Sequence, residues 1–165
     1  MTGLSTPFGP ERASGRLAAA LVLAAAVAAA ARAIVTFEHG WWLVAYLVLV
    51  GGLAQLLLSP GAGWLASRTQ APRSPARRRW WAIGLWNTGA VTVPAGVLTS
   101  DASLVLAGSL LLLAALAVFA TDLRWTAGRA RSPAPAWKRA QCALIVFLAV
   151  SVLVGAHLGN ALPFR

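Results

Sequence analysis

Five long apolar runs, separated by short polar segments, make up most of the chain. Each run holds roughly the twenty residues that a helix needs to cross the ~30 Å hydrocarbon core of a bilayer. None shows the two-residue alternation of a strand, and a helix satisfies its own backbone N–H and C=O groups within lipid. The pattern predicts five membrane-spanning helices, at residues 17–35, 41–58, 81–98, 104–120 and 140–158.

Composition agrees with this interpretation. Hydrophobic residues make up 59% of the chain and charged residues 11%, whereas soluble domains contain about 45–50% and 25%. A soluble fold of this length could not bury so much apolar surface. We therefore predict an all-α fold, a single polytopic bundle over residues 17–158, located in the cell membrane with the lipid bilayer as its surroundings.

The basic residues lie in alternate connections. Twelve of the fourteen lysines and arginines lie in the tail at residues 1–16 and in the second and fourth connections, while Arg32 lies inside the first run and Arg165 at the other end. Cytoplasmic loops are enriched in such residues. We predict a cytoplasmic N-terminal tail and an external tail at residues 159–165, and no nucleic-acid partner despite the net charge of +10.

The first run allows a second interpretation. It is rich in alanine, follows Arg12 and Arg16, and ends at Ala31-Arg32-Ala33. A basic segment, an apolar segment and an A-x-A site also make up a secretory signal peptide. A retained span and a cleaved signal both stay open, and cleavage would leave four spans with both ends outside.

Small and polar residues distinguish the third run from the others. Gly84, Thr88 and Thr92 recur every four residues, the spacing that lets membrane helices approach closely. We predict that this helix is central and that Asn87 forms a hydrogen bond with Gln55, which lies at a similar depth in the second run. The alternative is that Asn87, Thr88 and Thr92 line a channel or facilitator.

The last run carries another line of small residues. Ser151, Gly155 and Gly159 are four residues apart, and the two glycines form a GxxxG pattern. This spacing predicts close packing against another helix without saying which one.

Ionisable residues gather near the outer interface. Arg32, Glu38, His39 and His157 all lie within a few residues of it. Histidine commonly binds metal, and ionisable groups at membrane depth often mark function. One hypothesis is that His39 and His157 bind haem b or a metal. The other is that they are interfacial side chains that pair with Glu38, water or headgroups, and here we expect the two rings to lie apart.

The segment His39-Gly40-Trp41-Trp42, leading into an apolar helix, resembles the histidine-bearing helices of haem-copper oxidase-like membrane proteins. The resemblance covers about twenty residues and implies a b-type haem. That family carries further histidines within its spans, and this chain has two histidines in all.

Motifs of catalysis are missing from the sequence. It has no nucleotide-binding glycine loop, no H-E-x-x-H, no C-x-x-C and no serine nucleophile elbow, and it has four acidic residues in total. We therefore expect a non-catalytic accessory or partner-binding subunit of a membrane complex, with no resident cofactor. The alternatives are the haem or metal protein and the channel described above.

Overall fold

The computed structural model describes residues 9–34, 40–59, 74–128 and 135–161, which form five helices. Helix α2 covers residues 40–59, with an α-helical part at Gly40–Tyr46 and a π-helical part at Leu47–Ala54. The other four helices are α1 at Pro10–Ile34, α3 at Ala76–Thr99, α4 at Ala102–Gly128 and α5 at Pro135–Ala161. The predicted all-α class is confirmed for these residues.

Three stretches of the described chain are long and apolar enough to cross a membrane. They are Arg12–Ala31, Trp41–Ser59 and Ala102–Trp125. They fall in α1, α2 and α4, so three of the five predicted spans meet this criterion in the structure.

Several helices extend beyond the apolar runs that predicted them. Helix α1 begins at Pro10 and not near residue 17, α4 continues to Gly128, and α5 begins at Pro135. Arginine, alanine and tryptophan all tolerate a helix, and proline is well accommodated in a first turn. Hydropathy located the membrane-like part of each helix and missed its polar extensions, so much of the predicted fourth loop is helical.

Helices α3 and α4 touch through their backbones. A Cβ atom built on Gly89 would lie 2.8 Å from the Gly108 carbonyl oxygen, and one on Gly96 would lie 2.7 Å from the Val105 nitrogen. At Gly84 no heavy atom lies within 4 Å of such a Cβ. Close packing of α3 within the bundle therefore uses Gly89 and Gly96, on a different face from the predicted Gly84.

A two-residue turn joins these helices. Ser100 adopts the left-handed conformation, with φ at 55°, and the Asp101 N–H donates to the Gly96 carbonyl at 2.8 Å. The Asp101 carboxylate in turn accepts from the Ser103 N–H at 2.8 Å. Asp101 thus ends α3 and caps α4, and the short turn makes the two helices antiparallel.

Trp86 joins three helices at the centre of the bundle. Its side chain is 1% exposed. The centroids of the Trp86 and Phe119 rings lie 6.4 Å apart in an edge-to-face arrangement. The Trp86 indole N–H donates to the Val50 carbonyl at 3.2 Å. Val50 lies in the π-helical part of α2. π-Helical segments are rare and are often found at functional sites. Helix α3 contacts α1, α2 and α4, which agrees with its predicted central place.

The outer helices complete the core. On α2, Gly51 and Gly52 approach Leu21 and Val22 of α1 closely. Partly buried residues of α5, including Leu144 and Leu148, cover the core from the α4 side.

Gly89→Ala should lower the free energy of unfolding by about 1–3 kcal/mol, because the added methyl group would overlap the Gly108 carbonyl oxygen. Gly84→Ala is the matched control. It should leave stability unchanged or raise it by up to ~1 kcal/mol, since alanine favours a helix and meets nothing there. Thermal unfolding in detergent, followed by tryptophan fluorescence, measures both. Equal stability of the two variants would contradict the α3–α4 interface.

Candidate functional site

Basic residues collect at one end of the bundle, where α1, α3 and α5 begin and α2 and α4 end. The Arg78 Nε atom of α3 lies 3.5 Å from the Asp122 Oδ1 atom of α4. The Gln141 amide of α5 donates to the Leu57 carbonyl of α2 at 3.3 Å. We call this the basic end, and its described bases are Arg12, Arg16, Arg77, Arg78, Arg79, Arg124, Lys138 and Arg139.

Asp122 is the counter-ion within this end. Only 7% of the residue is exposed, and besides its ion pair with Arg78 it shares a hydrogen bond with the Ser74 side chain. Burial lowers the pKa of the neighbouring Arg79 guanidinium, and attraction to the Asp122 carboxylate opposes that shift. A buried carboxylate requires such partners, because transfer of an unpaired charge out of water is strongly unfavourable.

The sequence prediction missed Asp122 because it ended the fourth span at Ala120. The buried face of α4 includes Leu112, Ala115 and Phe119, three and four residues apart. Continuing that spacing by three residues reaches Asp122. Helical periodicity, carried past the end of the apolar run, could therefore have placed this carboxylate inside the bundle.

A second polar position lies inside α2. Gln55 is 2% exposed, and neither polar atom of its amide has a hydrogen-bond partner among the described residues. The predicted bond to Asn87 is not formed, because the Asn87 amide instead donates to the Ile83 carbonyl of its own helix at 2.8 Å. Gln141, which the sequence prediction did not select, instead forms a hydrogen bond between α5 and α2.

Several hydroxyl groups donate to the backbone of their own helix, whereas the buried Ser14 and Tyr46 hydroxyls have no hydrogen-bond partner among the described residues. Thr92 donates to the Thr88 carbonyl and Ser151 to the Phe147 carbonyl, each at 2.8 Å. Such bonds to the preceding turn satisfy the hydroxyl hydrogen without a partner from another helix. Thr88 lies on the exposed surface, and the Asn87 amide donates to its own helix. A channel lined by Asn87, Thr88 and Thr92 stays a prediction.

The predicted group of ionisable residues at the outer interface lies largely outside the described residues. Glu38 and His39 lie outside the described residues. Arg32 and His157 lie within α1 and α5, but their side chains are outside the described part, as are Gly155 and Gly159. In the described ranges, no three His, Cys, Asp or Glu side chains come together as a metal site would need. Binding of haem or metal by the two histidines, and their separation, stay predictions.

The Asp122–Arg78 pair can be tested by a double-mutant cycle with Asp122→Asn and Arg78→Gln. Each change should lower the free energy of unfolding by about 1–2 kcal/mol, less than a fully buried pair because Arg78 is partly exposed. Arg124→Gln, an exposed base on the same helix as Asp122, should change it by less than about 0.5 kcal/mol. Effects of the two variants that simply add would show that the groups are not coupled.

Comparison with known proteins gives no relative for this bundle. No family model matches the chain, and neither a curated protein nor a solved structure shows significant similarity to it.

Proposed function

We propose that the protein is a multi-pass cell-membrane protein whose five helices all cross the bilayer, with the basic end in the cytoplasm. Helices α1, α2 and α4 each contain a stretch suited to crossing, and α3 and α5 pack alongside them. The bases whose side chains are described all lie at the basic end. Such an imbalance is typical of the cytoplasmic side of a membrane protein.

The outer surface of the bundle supports insertion into lipid. Val27 of α1 is 69% exposed and Phe147 of α5 is 67% exposed, and each helix carries further large apolar side chains in contact with solvent. Exposure of so many large apolar side chains is unfavourable in water and favourable in hydrocarbon.

Reporter fusions test the orientation. A reporter fused after Arg79 or after Arg131 should read cytoplasmic, and one fused after Arg165 should read external, since basic connections are retained inside. The measurement is the activity ratio of a reporter active only outside to one active only inside. A cytoplasmic C-terminal fusion would rule out five spans with this orientation.

Within the membrane we propose a non-catalytic role as an accessory or partner-binding subunit. The observation that carries this is the uncovered side of α5, which packs against α4 and is otherwise largely exposed. Ser151 lies on that exposed surface, and its hydroxyl is already bonded within the helix. Gly155 and Gly159 continue the line of Ser151 at four-residue spacing.

We expect a helix of a neighbouring subunit to pack against the line of small residues on α5. Association of helices in lipid depends on close backbone approach and van der Waals contact, which small residues permit. Several described polar side chains are meanwhile used within the bundle: Asp101 in a helix cap, Asp122 in an ion pair and Thr92 in a bond to its own helix. The line of small residues on α5 is therefore the surface on which we expect association.

Gly155→Leu and Gly159→Leu should each reduce recovery of co-purifying membrane proteins, because a leucine would hold the neighbouring helix away. Val146→Leu is the control, since Val146 is exposed on α5 but lies off the small-residue line. Affinity purification in mild detergent after crosslinking in native membranes measures recovery.

Thermal unfolding of the same variants separates loss of a partner from loss of the fold. Unchanged recovery with both leucine variants would contradict the partner surface. A Soret absorption band in the same preparation, lost on substitution of His39 and His157, would instead favour the haem protein.

A further inference from the structure

One side of α3 is left open by the rest of the bundle. Arg77, Trp81, Gly84, Thr88 and Val91 are spaced alternately by four and three residues, which places them on one side of a helix. All five are exposed, Trp81 by 60% and Val91 by 58%. We call this set the outward face of α3, and it differs from the Gly89 and Gly96 face that contacts α4.

The chemistry of this face changes steadily along the helix axis. At the basic end stands the Arg77 guanidinium, and an exposed indole follows about 6 Å further on, given a rise of 1.5 Å per residue. Next comes Gly84, which has no side chain, and no heavy atom lies within 4 Å of its Cβ position. We call this open space, between Trp81 and Thr88 along the helix, the notch. Val91 continues the face as an apolar surface. The order is cation, amphipathic ring, notch, the small Thr88 side chain and hydrocarbon.

A phospholipid presents the matching order from headgroup to acyl chain. Its phosphate would meet the guanidinium, its glycerol region the indole, and its chain the notch and the apolar surface beyond. The length of the face is also suitable, since Arg77 to Val91 spans about 21 Å of helix, close to one leaflet of the membrane.

Charge at the basic end favours an anionic lipid over a neutral one. Arg78 is paired with Asp122, and Arg79 is drawn toward the same carboxylate. Arg77 is the exposed member of the three consecutive arginines. Successive cations in the first turn of a helix repel one another and the helix dipole, so a negative group beside Arg77 would be stabilising.

We propose that the outward face of α3 binds an anionic phospholipid, with its phosphate at Arg77 and an acyl chain along Trp81, Gly84 and Val91. The inference rests on the proposed insertion into the membrane. It adds a specific lipid site to the proposed membrane bundle.

Native mass spectrometry of the full-length protein in detergent tests the site, with phosphatidylglycerol and phosphatidylcholine of matched chains as probes. We expect the anionic lipid to bind more tightly. Arg77→Gln should weaken its binding by about fivefold, the factor that one base contributes beside an anionic surface. The same change should leave phosphatidylcholine binding nearly unaltered.

Two further variants define the position. Lys138→Gln removes an equal charge from an exposed position at the same end and should leave lipid binding unchanged. Gly84→Leu fills the notch and should weaken binding of both lipids, while thermal unfolding without added lipid confirms that the fold is retained. An equal loss with Lys138→Gln would mean diffuse attraction and would overturn the site.

Other occupants give different results. Protection against thermal unfolding by inorganic phosphate as strong as that by phosphatidylglycerol would indicate an anion site and not a lipid site. Loss of a co-purifying protein from Gly84→Leu, with lipid binding intact, would assign the notch to a partner helix. Failure of the proposed orientation is read separately, from the reporter fusions, because lipid binding in detergent does not depend on it.

Discussion

Contact between the backbones of α3 and α4 is the constraint on which the rest of the bundle depends. Gly89 and Gly108 face each other so closely that either would lack room for a side chain. In the proposed lipid environment the hydrophobic effect would not drive helices together, so dense contact of this kind would have to supply the attraction. The same approach sets Trp86 against Phe119 and brings Arg78 within reach of Asp122.

The contact also decides which parts of α3 are available to other molecules. Gly89 and Gly96 are committed to α4, whereas Gly84 and Thr88 are turned outward. Two rows of small residues therefore have different roles on one helix. The inner row packs against α4, and the outer row leaves open space at the Gly84 Cβ position.

The number and approximate positions of the helices could be predicted because each helix contains an apolar run of about the length that crosses a bilayer. Their ends could not, since a helix continues wherever its residues tolerate it. The sequence also could not choose between Gly84 and Gly89, because both rows are small and regularly spaced. The choice depends on Gly108 and Leu112 of the facing helix. Gln55 and Asn87 were predicted to pair because they lie at similar heights along adjacent helices. Height along a helix does not determine which way a side chain points around the helix axis, and the two do not pair.

Opposing demands meet at the basic end. The proposed orientation requires surplus positive charge there, yet antiparallel packing brings the start of α3 against the end of α4, where Arg79 becomes half-buried. Asp122 resolves the conflict, because one buried carboxylate balances the arginines nearest the interface. Arg77 and Arg124 remain exposed and keep the excess of positive charge that the proposed cytoplasmic side would carry. A single acidic residue, hidden in what reads as a loop, thus allows tight packing and a strongly basic surface at the same end.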